Sequence, residues 1–267
     1  MPADTEHPVL TQPESGDTSI WRYMDFAKYV ALLRTKSLYF ARLDKLEDPF
    51  EGSISRAEYE DTLERAKKGE EEGRIPPHWR GRYFDILMQA ARNGRRSCYV
   101  NCWHFNEGES EAMWRLYSQS TFAIAVKSTY ARLRDVLPTP SDSGRPHVGP
   151  LLGKVTYLDH YNDKLPTGNL LVPIMNKRPS FRHEQECRAL VWIPEPDDYL
   201  FMPDPNAIFK TYPEGMNIAV DLSKLVEFTV VSPLAPAWFS DSVVDVTLRY
   251  GYQWATKASS LAAKPFI

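Results

Sequence analysis

Apolar residues in this chain recur at strand spacing in some stretches and at helix spacing in others, and the switches between the two periods set out its elements. Ile20-Trp21-Arg22-Tyr23 is a short aromatic run that predicts a strand. Asp25 follows as an N-cap, and residues 26–33 repeat apolar side chains at helical spacing, so a helix is expected there. Residues 37–42 predict a second strand. It leads into an acidic loop over 43–52, where Pro49 restricts the backbone and Gly52 permits a turn. Dense alternating charge over 55–72 predicts a solvated helix, and another is expected over 82–91.

Beyond these, residues 97–105 alternate and predict a strand. Ser110 caps a short helix to Tyr117, residues 121–126 form an apolar, buried strand, and Ser128 or Thr129 caps a helix through Val136. A Pro- and Gly-rich loop is expected over 138–150, a strand over 153–159, a helix over 170–177 and a strand over 186–193. A second loop spans 194–213, followed by strands over 216–220 and 226–231 and a final helix over 236–250. Helices and strands mix without strict alternation. The expected fold is therefore α+β, a single domain with a mixed, mainly antiparallel sheet packed by helices. Residues 1–18, polar and aperiodic, predict a flexible N-terminal tail, residues 19–255 the domain, and 256–267 a C-terminal tail.

Composition adds bounds. The 267 residues are 43% hydrophobic and 25% charged, enough for one large domain, and no Gly/Ser linker divides them. A net charge of -3 gives no global field of the kind that drives non-specific nucleic-acid binding. The first residues lack a basic stretch followed by an apolar one, and no apolar run approaches the roughly 18 residues of a membrane span, so a cytoplasmic location without membrane contact is expected. Three cysteines, an odd number without framework spacing, agree with a reducing compartment. Cys98, Cys102 and His104 have the look of a zinc cluster but lack a second ligand pair. Buried strand cysteines are the simpler reading, and no metal is expected.

The chemistry concentrates in Phe181-Arg182-His183-Glu184-Gln185-Glu186-Cys187-Arg188. Read as a strand, this stretch puts Glu184, Glu186 and Arg188 on one face. Two carboxylates that close need a cation, with Arg182 and Arg188 nearest and a cationic substrate as the functional alternative. Arg22, on the first strand between two aromatics, suits an anionic ligand such as a phosphate, or else a surface or ion-paired position. Asp48 and Glu51 in the acidic loop serve as helix caps, as cation ligands or as a ribose contact. Trp103, His104, Trp114 and Tyr117 gather aromatics that suit stacking on a base or nicotinamide, or simply fill a core. Metal-dependent hydrolysis would recruit Asp48 and Glu51 with Glu184 or Glu186, but no strand lysine stands near Glu186 in the sequence. The Gly-rich dinucleotide, phosphate-loop and serine-hydrolase motifs are absent.

In consistent order over roughly residues 20 to 255, the segments Trp21-Arg22-Tyr23, Leu38 to Arg42 through Asp48 to Gly52, Asn101 to His104, Met113 to Tyr117 and His183 to Arg188 resemble the bacterial domain-of-unknown-function family numbered 2971. At a coarser level, an opening strand with a basic residue, a helix, a strand with Tyr39 and a late strand with a glutamate are similar to the layout of ADP-ribosyltransferases. That resemblance implies an enzyme consuming NAD as a substrate to modify a macromolecule or nucleotide, in bacterial phage defence or a toxin system, with an antitoxin or defence partner. It implies that Arg22 binds NAD with Trp103 and His104 nearby, Tyr39 stacks on nicotinamide, Glu186 is catalytic, and Glu184 orients or deprotonates the acceptor. Asp48, Glu51, Trp114, Tyr117 and Arg188 are expected in support. It further implies that Glu186→Gln abolishes turnover and spares folding. The alternatives are a non-catalytic nucleotide- or partner-binding module with Glu184, Glu186 and Arg188 as an ion-pair network, and a metal-dependent nuclease.

Overall fold

A sheet that forks at its third strand organises the molecule, seen here in a computed structural model that describes residues 5–117, 120–138, 148–164, 169, 171–193, 213–263 and 265. The chain opens with β1 (Ser19–Asp25), α1 (Phe26–Thr35) and β2 (Ser37–Arg42). Asp25 accepts from the Lys28 amide to start α1, and Lys36, at φ 50°, ends it in the left-handed region by donating to the Leu32 carbonyl. Next come α2 (Arg56–Glu71), capped by Ser55, then α3 (Tyr83–Ser97), β3 (Cys98–Phe105), α4 (Glu111–Tyr117), β4 (Ala123–Thr129) and α5 (Tyr130–Val136), capped by Thr129. The remainder is β5 (Val148–Lys154), β6 (Thr156–Tyr157), β7 (Asn176–Lys177), β8 (Glu186–Trp192), β9 (Gly215–Ala219), α6 (Leu222–Leu225), β10 (Phe228–Val231), α7 (Ala237–Arg249) and β11 (Ala255–Ala258).

Nine strands share the main sheet, with one path running β11-β10-β4-β1-β3-β2-β9. All pairings in it are antiparallel except β10 with β11. This is the expected mixture of helices with a mainly antiparallel sheet. One edge of β3 pairs with β8 along its length, from Cys98↔Trp192 to His104↔Glu186. The other edge is shared. β1 takes only Phe105 and His104, and β2 takes only Val100 and Tyr99, so Asn101, Cys102 and Trp103 have no strand opposite them. The sheet splits there. One face carries the larger core, with Ile20, Met24, Leu33, Phe40 and Tyr99 packed under α1, α5 and α7, and the other carries Val100, Leu151 and Leu190 beside a group of Trp21, Tyr23 and Trp114.

Several expectations are corrected. The helix expected over 170–177 is a single 3-10 turn, Pro173–Met175, followed by β7. Pro173 lacks a backbone donor, and Arg188 Nη1 takes the Ile174 carbonyl at 2.6 Å, so the helical ladder is not formed. The stretch around Glu184 is not continuous strand either. Pro179–Glu184 is a 3-10 helix, Gln185 stands at φ 36°, and the strand starts at Glu186. α3 runs six residues past its expected end at 91, to Ser97, whose hydroxyl donates to the Asn93 and Gly94 carbonyls. Parts of both expected tails make contacts with the domain. Leu10 is buried, Thr11 bridges to Lys154 and Gln12 donates to the Leu152 carbonyl at 3.1 Å. At the other end β11 extends the sheet, and Ser259 and Ser260 are tied to Glu109. Most of the two loops expected over 138–150 and 194–213 lies outside the described residues.

Candidate functional site

Where β1 and β2 part from β3 they leave a cavity of about 640 Å³. β1 contributes Arg22 and Tyr23, β2 contributes Tyr39, and the middle of β3, paired only with β8, contributes Asn101, Cys102 and Trp103. α1 lays Lys28, Ala31, Leu32 and Thr35 along one wall, which is one helical face by spacing. Glu184 and Glu186 also line it. Asn101 bridges the fork by donating from Nδ2 to the Tyr39 carbonyl at 2.8 Å, while its Oδ1 accepts from Trp103 Nε1 at 2.8 Å. A side chain thus replaces the missing ladder.

Arg22, half-buried, donates to the same Tyr39 carbonyl at 3.4 Å and meets no carboxylate among the described residues. Burial pulls its pKa down to about 10, so the guanidinium remains charged at neutral pH and is short of a counter-ion. Arg34 adds positive charge to the α1 side, while Lys28 is paired with Asp25 at 3.4 Å. Tyr39 is 49% exposed and Tyr117 42%, which makes these two the accessible aromatic surfaces of the cavity. The Tyr39 ring lies over Gly215 on β9, so closely that a Cβ on that glycine would fall 2.1 Å from the ring's Cζ and hydroxyl. Trp103 is a core residue locked to Asn101.

The acidic end is a buried ion network. Arg188, fully buried at the centre of β8, grips Glu186 with two bonds, Nε to Oε1 at 2.6 Å and Nη2 to Oε2 at 3.0 Å, and reaches Glu51 with Nη1 at 3.0 Å. Lys177 Nζ sits among three carboxylates, 2.5 Å from Glu184, 3.0 Å from Glu51 and 3.5 Å from Glu186. Next to it Arg178 binds Asp48 through two bonds of 2.7 and 3.1 Å, fastening the acidic loop to the same wall. Burial works against the charge on Glu186, but Arg188 and Lys177 outweigh it and hold the pKa down at about 2. At Glu184 burial prevails over Lys177, and the pKa is raised. Desolvation opposes the charges on Lys177 and Arg188, yet the surrounding carboxylates raise both.

His104 secures the turn before β8. Its Nδ1 lies 2.6 Å from the Glu184 carbonyl, an oxygen that can only accept, so the proton sits on Nδ1. Nε2 is then the lone-pair nitrogen, buried and without a partner among the described residues, and burial lowers the ring's pKa. The neighbouring Cys102 thiol donates to Glu186.

No family model, curated protein or solved structure matches this chain. The site therefore stands on its own geometry. Of the residues expected to act together, Arg22, Tyr39, Trp103, His104, Tyr117, Glu184 and Glu186 line one cavity. Glu51 and Arg188 lie behind its acidic end, Asp48 is held by Arg178, and Trp114 stands behind Tyr23 with its indole N–H on Glu109. Arg182, expected to neutralise the carboxylates, is exposed instead; Lys177 takes its place. Lys177 went unread because it closes a stretch with helical periodicity. Its signal was the unbalanced count of buried carboxylates. Asn101 and Cys102, which the sequence offered as strand residues within the Asn101 to His104 segment, were not among the expected site residues, yet both line the cavity. The network also gives Glu186→Gln a second effect, because it unseats Arg188 as well as changing the cavity.

Proposed function

We propose that this cavity binds NAD and that the chain is an ADP-ribosyltransferase-like enzyme that transfers ADP-ribose to a macromolecule or nucleotide, within a bacterial defence or toxin setting. One observation carries the reading. Arg22, Tyr39 and the Glu184/Glu186 pair come from distant segments and converge on a single cavity of about 640 Å³, within the range of small-molecule sites. The cavity lining carries both signs of charge, an arginine that meets no carboxylate among the described residues and a cluster with one carboxylate more than its cations. NAD carries anionic phosphates and a cationic pyridinium, which match that arrangement. In this reading the Arg22 fork holds a phosphate and Tyr39 lies against a flat ring.

The chemistry is substitution at the ribose carbon C1′. The bond from C1′ to the nicotinamide nitrogen breaks, its electron pair leaves with nicotinamide, and C1′ becomes a cationic oxocarbenium. A fixed carboxylate stabilises that developing charge more than it stabilises the ground state, which lowers the barrier. An acceptor O–H or N–H then bonds to C1′ and loses its proton. Purified protein incubated with NAD and with candidate protein and nucleic-acid acceptors tests the proposal by release of nicotinamide. Absence of both NAD binding and release would overturn it.

A second reading draws on the saturation of Glu186. With both oxygens taken by Arg188, the carboxylate is structural, and the cavity serves as a non-catalytic nucleotide-binding or partner-binding module. That reading predicts a ligand-induced rise in melting temperature without turnover. The nuclease alternative is weaker, since the ammonium of Lys177 already occupies the space among the three carboxylates.

A further inference from the structure

We infer that Glu184, and not Glu186, is the carboxylate that meets the substrate, with Lys177 and His104 as its positioning residues. The inference rests on the transferase reading and assigns the parts within it. Glu186 has little to offer a ligand. Arg188 binds both of its oxygens at 2.6 and 3.0 Å, Lys177 approaches at 3.5 Å and the Cys102 thiol donates to it as well. Turning either oxygen toward a substrate would strip a fully buried guanidinium of its bidentate partner.

Glu184 is built differently. Its Oε2 receives Lys177 at 2.5 Å, while its Oε1 has no protein partner among the described residues and the side chain lines the cavity. Across the buried set three carboxylates face two cations, leaving one negative charge over. Arg188 pairs with Glu186, Lys177 pairs most closely with Glu184, and Glu51 shares both cations at 3.0 Å, so the surplus is spread over the set and what sets Glu184 apart is its open Oε1. The residue is also fixed in place. His104 Nδ1 holds its carbonyl at 2.6 Å, the left-handed Gln185 follows it, and Lys177 anchors one oxygen, leaving the other open in a set orientation. A group so held stabilises developing charge without reorganising.

In this assignment Glu184 Oε1 faces C1′ as the bond to nicotinamide breaks and its electron pair departs on nitrogen. The acceptor's O–H or N–H then bonds to C1′ and its proton passes to Glu184 and on to water. Glu186, with Arg188 and Glu51, forms the rigid seat beneath.

Two measurements test the assignment. In the first, nicotinamide release from NAD is followed alongside thermal unfolding. Glu184→Gln keeps an oxygen for Lys177, and is expected to cut kcat about a hundredfold or more with an unchanged melting temperature and a similar KM. Glu186→Gln is expected to lower the melting temperature. Lys177→Met is expected to lower kcat with ADP-ribose affinity kept, and Lys177→Arg to restore part of kcat. A Glu184→Gln enzyme working at the wild-type rate overturns the inference. In the second, the wild-type protein is treated with a water-soluble carbodiimide and glycinamide, and the labelled carboxyl is located by tandem mass spectrometry. Glu184 is expected to take the label before Glu186, and the reverse order overturns the inference whether or not the protein turns NAD over. A wild type that labels at Glu184 but releases no nicotinamide removes the transferase reading and leaves Glu184 as the carboxylate open to the cavity.

Discussion

At the scale of single residues, the cavity separates side chains with spare bonding capacity from side chains without it. Arg22 makes one long hydrogen bond and no ion pair among the described residues, so Arg22→Gln is expected to change stability little. It should instead weaken ADP-ribose binding about tenfold or more, the order of one lost charge-assisted bond, as isothermal titration calorimetry would measure. Arg188 is the opposite case. Arg188→Met strands Glu186 and Glu51 in the interior, and is expected to cost about 3–5 kcal/mol in urea unfolding. The same network sets an acid limit. Glu186 has its folded pKa depressed from the ordinary 4.5 to about 2, so its contribution is complete above about 4.5 and lost as pH falls toward 2. Chemical denaturation at a series of pH values should show stability declining through that window, and Glu186→Gln should flatten the decline. Arg22, Glu184, Glu186 and Arg188 were all legible in the sequence, because charge inside apolar or β-prone runs is conspicuous. Arg188 was expected beside Glu186, and Glu51 was grouped with the two glutamates, but Lys177 was not legible: it reaches the carboxylates only through tertiary folding, and no local period marks that meeting.

At the scale of elements, the function depends on an interrupted ladder. The edge of β3 away from β8 has no strand partner at Asn101 to Trp103, and a side chain spans the gap instead, with Asn101 reaching Tyr39. Asn101→Ala would leave the buried Trp103 indole N–H without its acceptor and release the β2 side of the fork. A loss of about 1–3 kcal/mol is expected, measured by urea denaturation, together with weaker ligand binding. Gly215 acts on the same strand pair, since it leaves room for the Tyr39 ring. Most of the strands and the helices were readable from period and capping, β2 over 37–42 and α1 from Asp25 among them. What misled was the segment before β8. Residues 170–177 repeat at helical spacing, but Pro173 and the demand of Arg188 for the Ile174 carbonyl turn them into a 3-10 turn and a short strand. The fork itself has no sequence signature, because pairing partners are chosen by the whole sheet.

At the scale of the whole molecule, the forked sheet brings Arg22 and Tyr39 from the first two strands into one cavity with Glu184 and Glu186 from the segment leading into β8, so the cavity is a property of the fold and not of one loop. Within the described residues no helix is long and apolar enough to cross a membrane. The central claim is that this cavity consumes NAD. Its most direct test is chromatographic measurement of nicotinamide after incubating the purified protein with NAD and an acceptor mixture, beside the Arg22→Gln and Glu184→Gln proteins. The account predicts release by the wild type, near-background release by Glu184→Gln, and release by Arg22→Gln that is reduced at low NAD and recovers as NAD is raised. NAD left intact, with no binding detected by calorimetry, would contradict it.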